Sequence, residues 1–189
     1  MSVFQTAART AFGFLETEFC FQVASSGADR ISYERGSFVV LVRYDSQRSY
    51  ELTVDLGDRQ KDQPLFNLGE ALRSLGLPQE HPSAYQVAAE NALPEFLERL
   101  ATDLKTHGTP ILGQEPGSLN NLRQLRNREC EEFARERDLR HARANVSKAW
   151  KAGDYGSVIR WFEPVEKWLS KSEQMKLNLA RKKFGSTEA

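Results

Sequence analysis

Apolar residues recur at three- and four-residue spacing along the first segment, where Phe4, Ala7, Ala8, Ala11, Phe12, Leu15 and Phe19 predict one amphipathic helix from Val3 to Phe19, about four turns long. The period then changes to two. Phe21 and Val23, Ile31 and Tyr33, Phe38 to Tyr44, and Tyr50 to Leu56 alternate apolar with polar side chains and predict four strands. Ser25-Ser26-Gly27, Arg35-Gly36 and Asp45-Ser46-Gln47-Arg48 separate these runs, and connections so short oblige neighbours to pair antiparallel, as a meander. Gln22, Ser32, Glu34, Arg43, Glu51, Thr53 and Asp55 hold the alternate positions, so one sheet face is expected to be wet while the other packs under helices. Val39 and Leu41 break the polar face of the third strand, which marks that strand as central and partly covered on both sides. In the first turn Gly27 is expected to supply a positive φ and Asp29 to bond nearby backbone.

Helical periodicity returns after the polar stretch Asp58 to Pro64, which reads as an exposed loop. Asn67 can cap a short helix that runs through Leu75 and stops at Gly76, and Pro78 and Pro82 keep the next stretch extended. A longer helix is predicted from Ser83 to Lys105, with Tyr85, Ala89, Leu93, Phe96, Leu97, Leu100 and Leu104 on one side and Pro94 kinking or dividing it. Gly108 to Gly117 holds three glycines and two prolines, making it the candidate linker. The expected class is α+β: a four-stranded antiparallel meander with helices on one face in residues 1–110, then an all-helical extension over 111–189.

In that extension Arg123 to Arg143 contains seven arginines and five acids, with Leu125, Cys130, Phe133 and Leu139 as its sizeable apolar groups, the mark of a mostly solvated helix. Trp150, Tyr155, Val158, Ile159, Trp161, Phe162, Val165, Trp168 and Leu169 follow closely, so all three tryptophans fall in one local core or contact surface. The 189-residue chain is formally neutral, with 26 basic and 26 acidic side chains, but the charge is unevenly spread. Residues 1–117 carry ten basic against sixteen acidic groups, and residues 118–189 carry sixteen against ten. Arginine forks suit both phosphates and carboxylates. Arg128, Glu131, Glu132, Arg135, Glu136 and Arg140 stand at spacings that also permit pairing along the helix, so self-pairing, an acidic protein partner and nucleic acid all remain open.

Chemistry-bearing motifs are sparse. His81, His107 and His141 lie too far apart in sequence for two of them to share a helix face as metal ligands, and Cys130 and His141 are about 16 Å apart along a helix. His81 reads as a solvated loop side chain and His107 as a helix C-terminal group that suits the dipole. Cys20 and Cys130 form no C-x-x-C and read as reduced thiols. Phosphate-binding glycine loops and the G-x-S-x-G elbow are absent from the sequence. An enzyme would have to assemble its site from scattered residues such as Arg43, Glu51 and Asp55. No catalytic residue, cofactor or metal is therefore expected. No apolar run reaches the roughly 18 residues of a spanning helix, and the N-terminus lacks a secretory pattern, so the expected compartment is the cytoplasm, away from membranes.

Two resemblances add to this reading. Ala149-Trp150-Lys151-Ala152-Gly153-Asp154-Tyr155, with an apolar helix to Trp168 and a further helix from Ser172 to Lys183, resembles a single tetratricopeptide-like helical hairpin, although Pro164 falls inside its second helix. The stretch from Phe14-Leu15-Glu16 to Gly57, including Phe38-Val39-Val40 and Tyr44 to Leu52, is similar to small uncharacterised bacterial proteins, some of which accompany toxin or phage-defence genes and are regarded as immunity proteins. These resemblances imply protein contact and transfer no catalytic residue. The expectation is a non-enzymatic protein-binding module that occludes a partner by shape and charge, with self-association as one outcome and a nucleic-acid-associated protein using the basic C-terminal helices as the alternative. Tyr155, Arg160, Phe162 and Lys167 are the candidate partner-binding residues.

Overall fold

Alternation along the predicted strands produces an antiparallel sheet. In the computed structural model, which describes residues 2–77 and 84–185, strands β1 (Gln22–Ser26), β2 (Arg30–Arg35), β3 (Phe38–Tyr44) and β4 (Glu51–Asp58) pair in sequence order. Two shorter strands, β5 (Phe66–Asn67) and β6 (Ala84–Gln86), share the outer edge of β4. Val40 stands opposite Tyr33 and Leu56, and Val42 opposite Ile31 and Val54, so one face becomes a continuous apolar layer. Each of these side chains is fully buried, a gain of about 1.5–3 kcal/mol apiece. Val39, on the opposite face, is buried as well, as the central position of β3 requires.

Helices α1 (Val3–Ala11), α2 (Phe14–Thr17), α3 (Leu68–Ser74) and α4 (Leu93–His107) contribute the other half of this core. Phe4 stacks on Tyr44 at 6.1 Å, and the Tyr33 hydroxyl lies 3.5 Å from the Ala8 carbonyl. The single N-terminal helix expected from the sequence is broken at Gly13. In one continuous helix Phe12 and Phe14 would point some 200° apart, whereas the break lets both rings enter the core 6.2 Å from each other. Asn67 caps α3 through a reciprocal box with Glu70, and Gly76, at φ 84°, follows its end.

The helix expected from Ser83 is also divided. Ala84–Gln86 joins the sheet, Glu90–Ala92 forms a 3₁₀ turn, and α4 begins at Leu93 with Pro94 in its first turn, where the missing N–H costs nothing. The expectations for Pro78, His81, Pro82 and Ser83 lie outside the described residues. Gly27 stays out of the left-handed region, since its N–H donates to the Arg30 carbonyl without it, while Gly36 takes φ 62° in the two-residue β2–β3 turn. The candidate linker is folded: α5 (Thr109–Leu112) buries Ile111 and Leu112, because two adjacent large aliphatic groups find space in the core. Cys20 and Cys130 are free and exposed.

Helix α6 (Ser118–Ala152) begins in this first unit, which extends to Arg126 rather than 110 because Leu122 is buried and Arg123 and Arg126 bind the loop before α3. A second unit starts at Asn127 and has its own core. There the rest of α6 packs with α7 (Tyr155–Phe162), a 3₁₀ segment (Glu163–Trp168) and α8 (Lys171–Gly185). Gly153, at φ 70°, and the Asp154 cap make the turn into α7. The helix expected to reach Trp168 ends at Phe162, because Pro164 fits the first turn of the 3₁₀ segment and not a helix interior.

Candidate interaction surface

The arginines of α6 divide into two populations. Arg123 forks onto Asp62 at 2.6 and 3.0 Å, and Arg126 forks onto Glu70 at 2.8 and 2.7 Å while also donating to the Pro64 and Leu65 carbonyls. The Arg126 guanidinium lies 3.8 Å from the centre of the Phe66 ring. Asp62 is almost wholly buried and also accepts from the Asp58 N–H. Burial pushes the Glu70 carboxyl up, but the Arg126 fork and the Asn67 N–H outweigh it and hold it below the usual range. These two arginines are committed to the α+β unit and are not a surface for phosphates. Beyond Arg126 the helix turns to solvent. Among the described residues no ion pair joins Arg128, Glu131, Glu132, Arg135, Glu136 and Arg140 to one another, and Phe133 is 70% exposed.

Arg43, Glu51 and Thr53 line a polar cleft of about 350 Å³ on the sheet. Arg43 pairs with Asp55, whose carboxyl is raised by burial in spite of that partner. The Ser49 hydroxyl, in the same cleft, lies 3.1 Å from Asp45 and 3.4 Å from Glu51. Asp45 is spent on its own turn, accepting from the N–H groups of Gln47, Arg48 and Ser49. Arg43 and Glu51 thus line the cleft with the serine, whereas Asp55, four residues along β4 from Glu51, is joined to Arg43 and does not line it, and the cleft's residues include no imidazole to activate the serine. Among the described residues no group of three or more His, Cys, Asp and Glu side chains is placed to hold a metal ion, and no helix is long and apolar enough to cross a membrane.

The second unit combines aromatic packing with unbalanced charge. Residues 139–185 contain eleven basic and four acidic side chains, a surplus of seven positive charges. All four acids are engaged internally. Asp154 caps α7 through the Ser157 N–H, Glu163 and Glu166 accept from Arg181 at 3.3 and 2.9 Å, and Glu173 accepts from Arg143 at 2.6 Å. The Arg143 fork, with help from Ser170, lowers the Glu173 carboxyl to about 2.

Three lysines rest on aromatic rings. Lys176 Nζ lies 5.0 Å from the Trp150 ring centre, Lys183 Nζ 5.1 Å from Tyr155 and Lys167 Nζ 4.4 Å from Trp168. Trp150 and Tyr155 meet edge to face at 5.7 Å, and His141 meets Trp161 in the same way at 5.1 Å.

No protein-family model, curated protein or solved structure matches the chain.

Tyr155 is half-buried at the start of α7 and belongs to the flank shared with Lys183. Arg160 is exposed on α7, and Lys167 is exposed on the 3₁₀ segment. Phe162 is not a surface residue. At 2% exposure it packs into the small core with Val158, Val165 and Leu177, because a three-helix unit of this size needs its largest aliphatic and aromatic groups inside. Leu179 is 42% exposed. Lys176, Leu179 and Lys183 were not grouped as one surface from the sequence. Their i, i+3, i+7 spacing was the available signal.

Proposed function

We propose that the protein is a non-enzymatic binding module whose C-terminal helical unit engages an acidic surface of another protein and occludes it by shape and charge, in the manner of an immunity or defence-accessory protein. The observation that carries this reading is the positive surplus of the unit, fourteen basic against nine acidic side chains in residues 127–185 and eleven against four in residues 139–185, where each of the four carboxylates is already answered inside that segment. Such a surface raises the rate of encounter with an acidic partner and sets its orientation. Nucleic acid is the competing partner for the same charge. It is disfavoured by the loss of Arg123 and Arg126 to the α+β unit and by the lysines that cover Trp150 and Tyr155, since single-stranded binding relies on open ring faces.

Affinity capture by the full chain from extract of its native cell, before and after nuclease treatment, tests the reading. A protein partner that persists after nuclease, elutes with salt and loses its own activity when complexed is the expected result. Capture that vanishes with nuclease would transfer the function to nucleic acid.

A further inference from the structure

The polar cleft on the sheet sorts its charges into two rows. Arg30 of β2 stands directly opposite Arg43 of β3, so two cationic stems rise side by side about 5 Å apart. Two residues beyond Arg43, just past the end of β3, Asp45 stands opposite Glu51 at the start of β4, its N–H donating to the Glu51 carbonyl at 2.9 Å. All four side chains line the same cleft, with Asp29 closing its wall at the β1–β2 turn and Ser49 and Thr53 adding hydroxyls. Like charges facing each other across paired strands are unfavourable, and the fold keeps two such pairs in neighbouring rows of opposite sign.

Internal partners answer these charges unequally. Arg43 pairs with Asp55, and Asp45 accepts from the N–H groups of Gln47, Arg48 and Ser49, which hold its carboxyl below the usual range and keep it ionised. Among the described residues Arg30 and Glu51 have no ion-pair partner. These two occupy opposite corners of the cleft, two strands and two residues apart, or about 12 Å between their backbones. A bare anion would meet the carboxylates of Asp29, Asp45 and Glu51, and a bare cation would meet two guanidinium groups.

We propose that this cleft binds a small zwitterion of the α-amino-acid class, its carboxylate taken by Arg30 and the remaining donors of Arg43 and its ammonium by Glu51 and Asp45. Such a ligand holds its nitrogen about 2.5 Å from its carboxyl carbon. With a charge-assisted hydrogen bond of about 2.8 Å at each end it spans about 8 Å, which fits between the two corners. The volume of about 350 Å³ leaves room for a side chain. The cleft belongs to the α+β unit, so this assignment stands apart from the acidic-partner reading of the second unit.

The test is titration of the isotope-labelled full chain with glycine and with L-serine, read from backbone amide shifts, beside acetate and methylammonium at matched ionic strength. We expect saturable shifts from both amino acids, confined to the residues around the cleft, and binding at least ~10-fold weaker for either half-ligand. Arg30→Gln and Glu51→Gln should each weaken amino-acid binding by ~10-fold, whereas Glu51→Gln should leave acetate binding equal or tighter, since that carboxylate only repels it. Arg30→Lys, which keeps the charge, should recover most of the loss and serves if Arg30→Gln disturbs the sheet, which the same spectra report. Arg9→Gln, on α1, should cost no more than ~2-fold. No saturable shift from either amino acid up to about 20 mM, acetate binding as tightly as glycine, or shifts that survive both glutamine variants would overturn the assignment.

Discussion

Replacing Arg126 by alanine removes two charge-assisted hydrogen bonds to Glu70, two to the Pro64 and Leu65 carbonyls, and the contact over Phe66. Fully desolvated, the loss of one partner from such a pair would cost about 3–5 kcal/mol. The Arg126 side chain is 20% exposed and that of Glu70 13%, so water recovers part of the loss and about 3 kcal/mol is expected. For a chain of this length that corresponds to a fall in Tm of roughly 6–12 °C for the α+β unit. Arg126→Lys should recover less than half, because an ammonium cannot fork onto a carboxylate and two carbonyls at once. Arg128→Ala, two residues further along a solvated helix, should stay within ~0.5 kcal/mol.

The residue distribution offers separate reporters for the two units. All three tryptophans lie in the second unit, so their fluorescence follows that unit, while amide exchange of β4 and α3 follows the first. A double-mutant cycle of Arg126→Ala with Glu70→Ala should return a coupling of about 2 kcal/mol. If Arg126→Ala were no more damaging than Arg128→Ala by amide exchange, the claim that these arginines are committed to the fold would fail. They would then have to be counted again among the cations available to a partner.

Glu173 has a folded pKa of about 2 against an ordinary 4.5, so its stabilising effect is fully present above pH 4.5 and is lost as pH falls toward 2. With Arg143 half-exposed this amounts to about 1.5 kcal/mol, and Glu173→Gln should flatten the acid dependence of the tryptophan-monitored midpoint; an unchanged slope would refute it. Phe162→Ala should destabilise the second unit by about 3 kcal/mol by opening a cavity, read as an earlier urea midpoint of the same fluorescence. A neutral Phe162→Ala would return that ring to the surface. Gly57→Ala should cost about 2 kcal/mol in amide exchange of β4, because φ is 149° and the new Cβ would stand 3.2 Å from the Asp62 Cβ beneath the Arg123 fork.

The sheet was legible because its four long strands alternate apolar with polar side chains, Val39 and Leu41 of central β3 excepted, between short polar turns, and that alternation leaves only one register that buries Val40, Val42, Leu52 and Val54 together. The helical segments were less so. Periodicity located the apolar residues near Gly13 and Pro94 but could not say that the core would accept Phe12 and Phe14 at once, or that Tyr85 would enter a strand and meet Phe96 at 4.9 Å. Glycine and proline content made Gly108 to Gly117 look like a linker, although Ile111 and Leu112 outweighed it by finding room in the core. In the second unit the aromatic cluster was visible, but which ring faced inward depended on where α7 stopped. Pro164, two residues beyond Phe162, keeps it from running further, and the change to 3₁₀ geometry leaves Trp161 and Trp168 only partly covered while Phe162 and Val165 go inside.

The arginines show why charge counted along a sequence misplaces an interface. Arg123 and Arg126 meet carboxylates 61 and 56 residues away, so no local window could reveal that they are neutralised. Removing these internal pairs moves the positive surplus toward the chain's end, from the arginine-rich stretch to residues 139–185. There the remaining cations include lysines supported by tryptophan and tyrosine, beside apolar groups that a phosphate backbone has no use for.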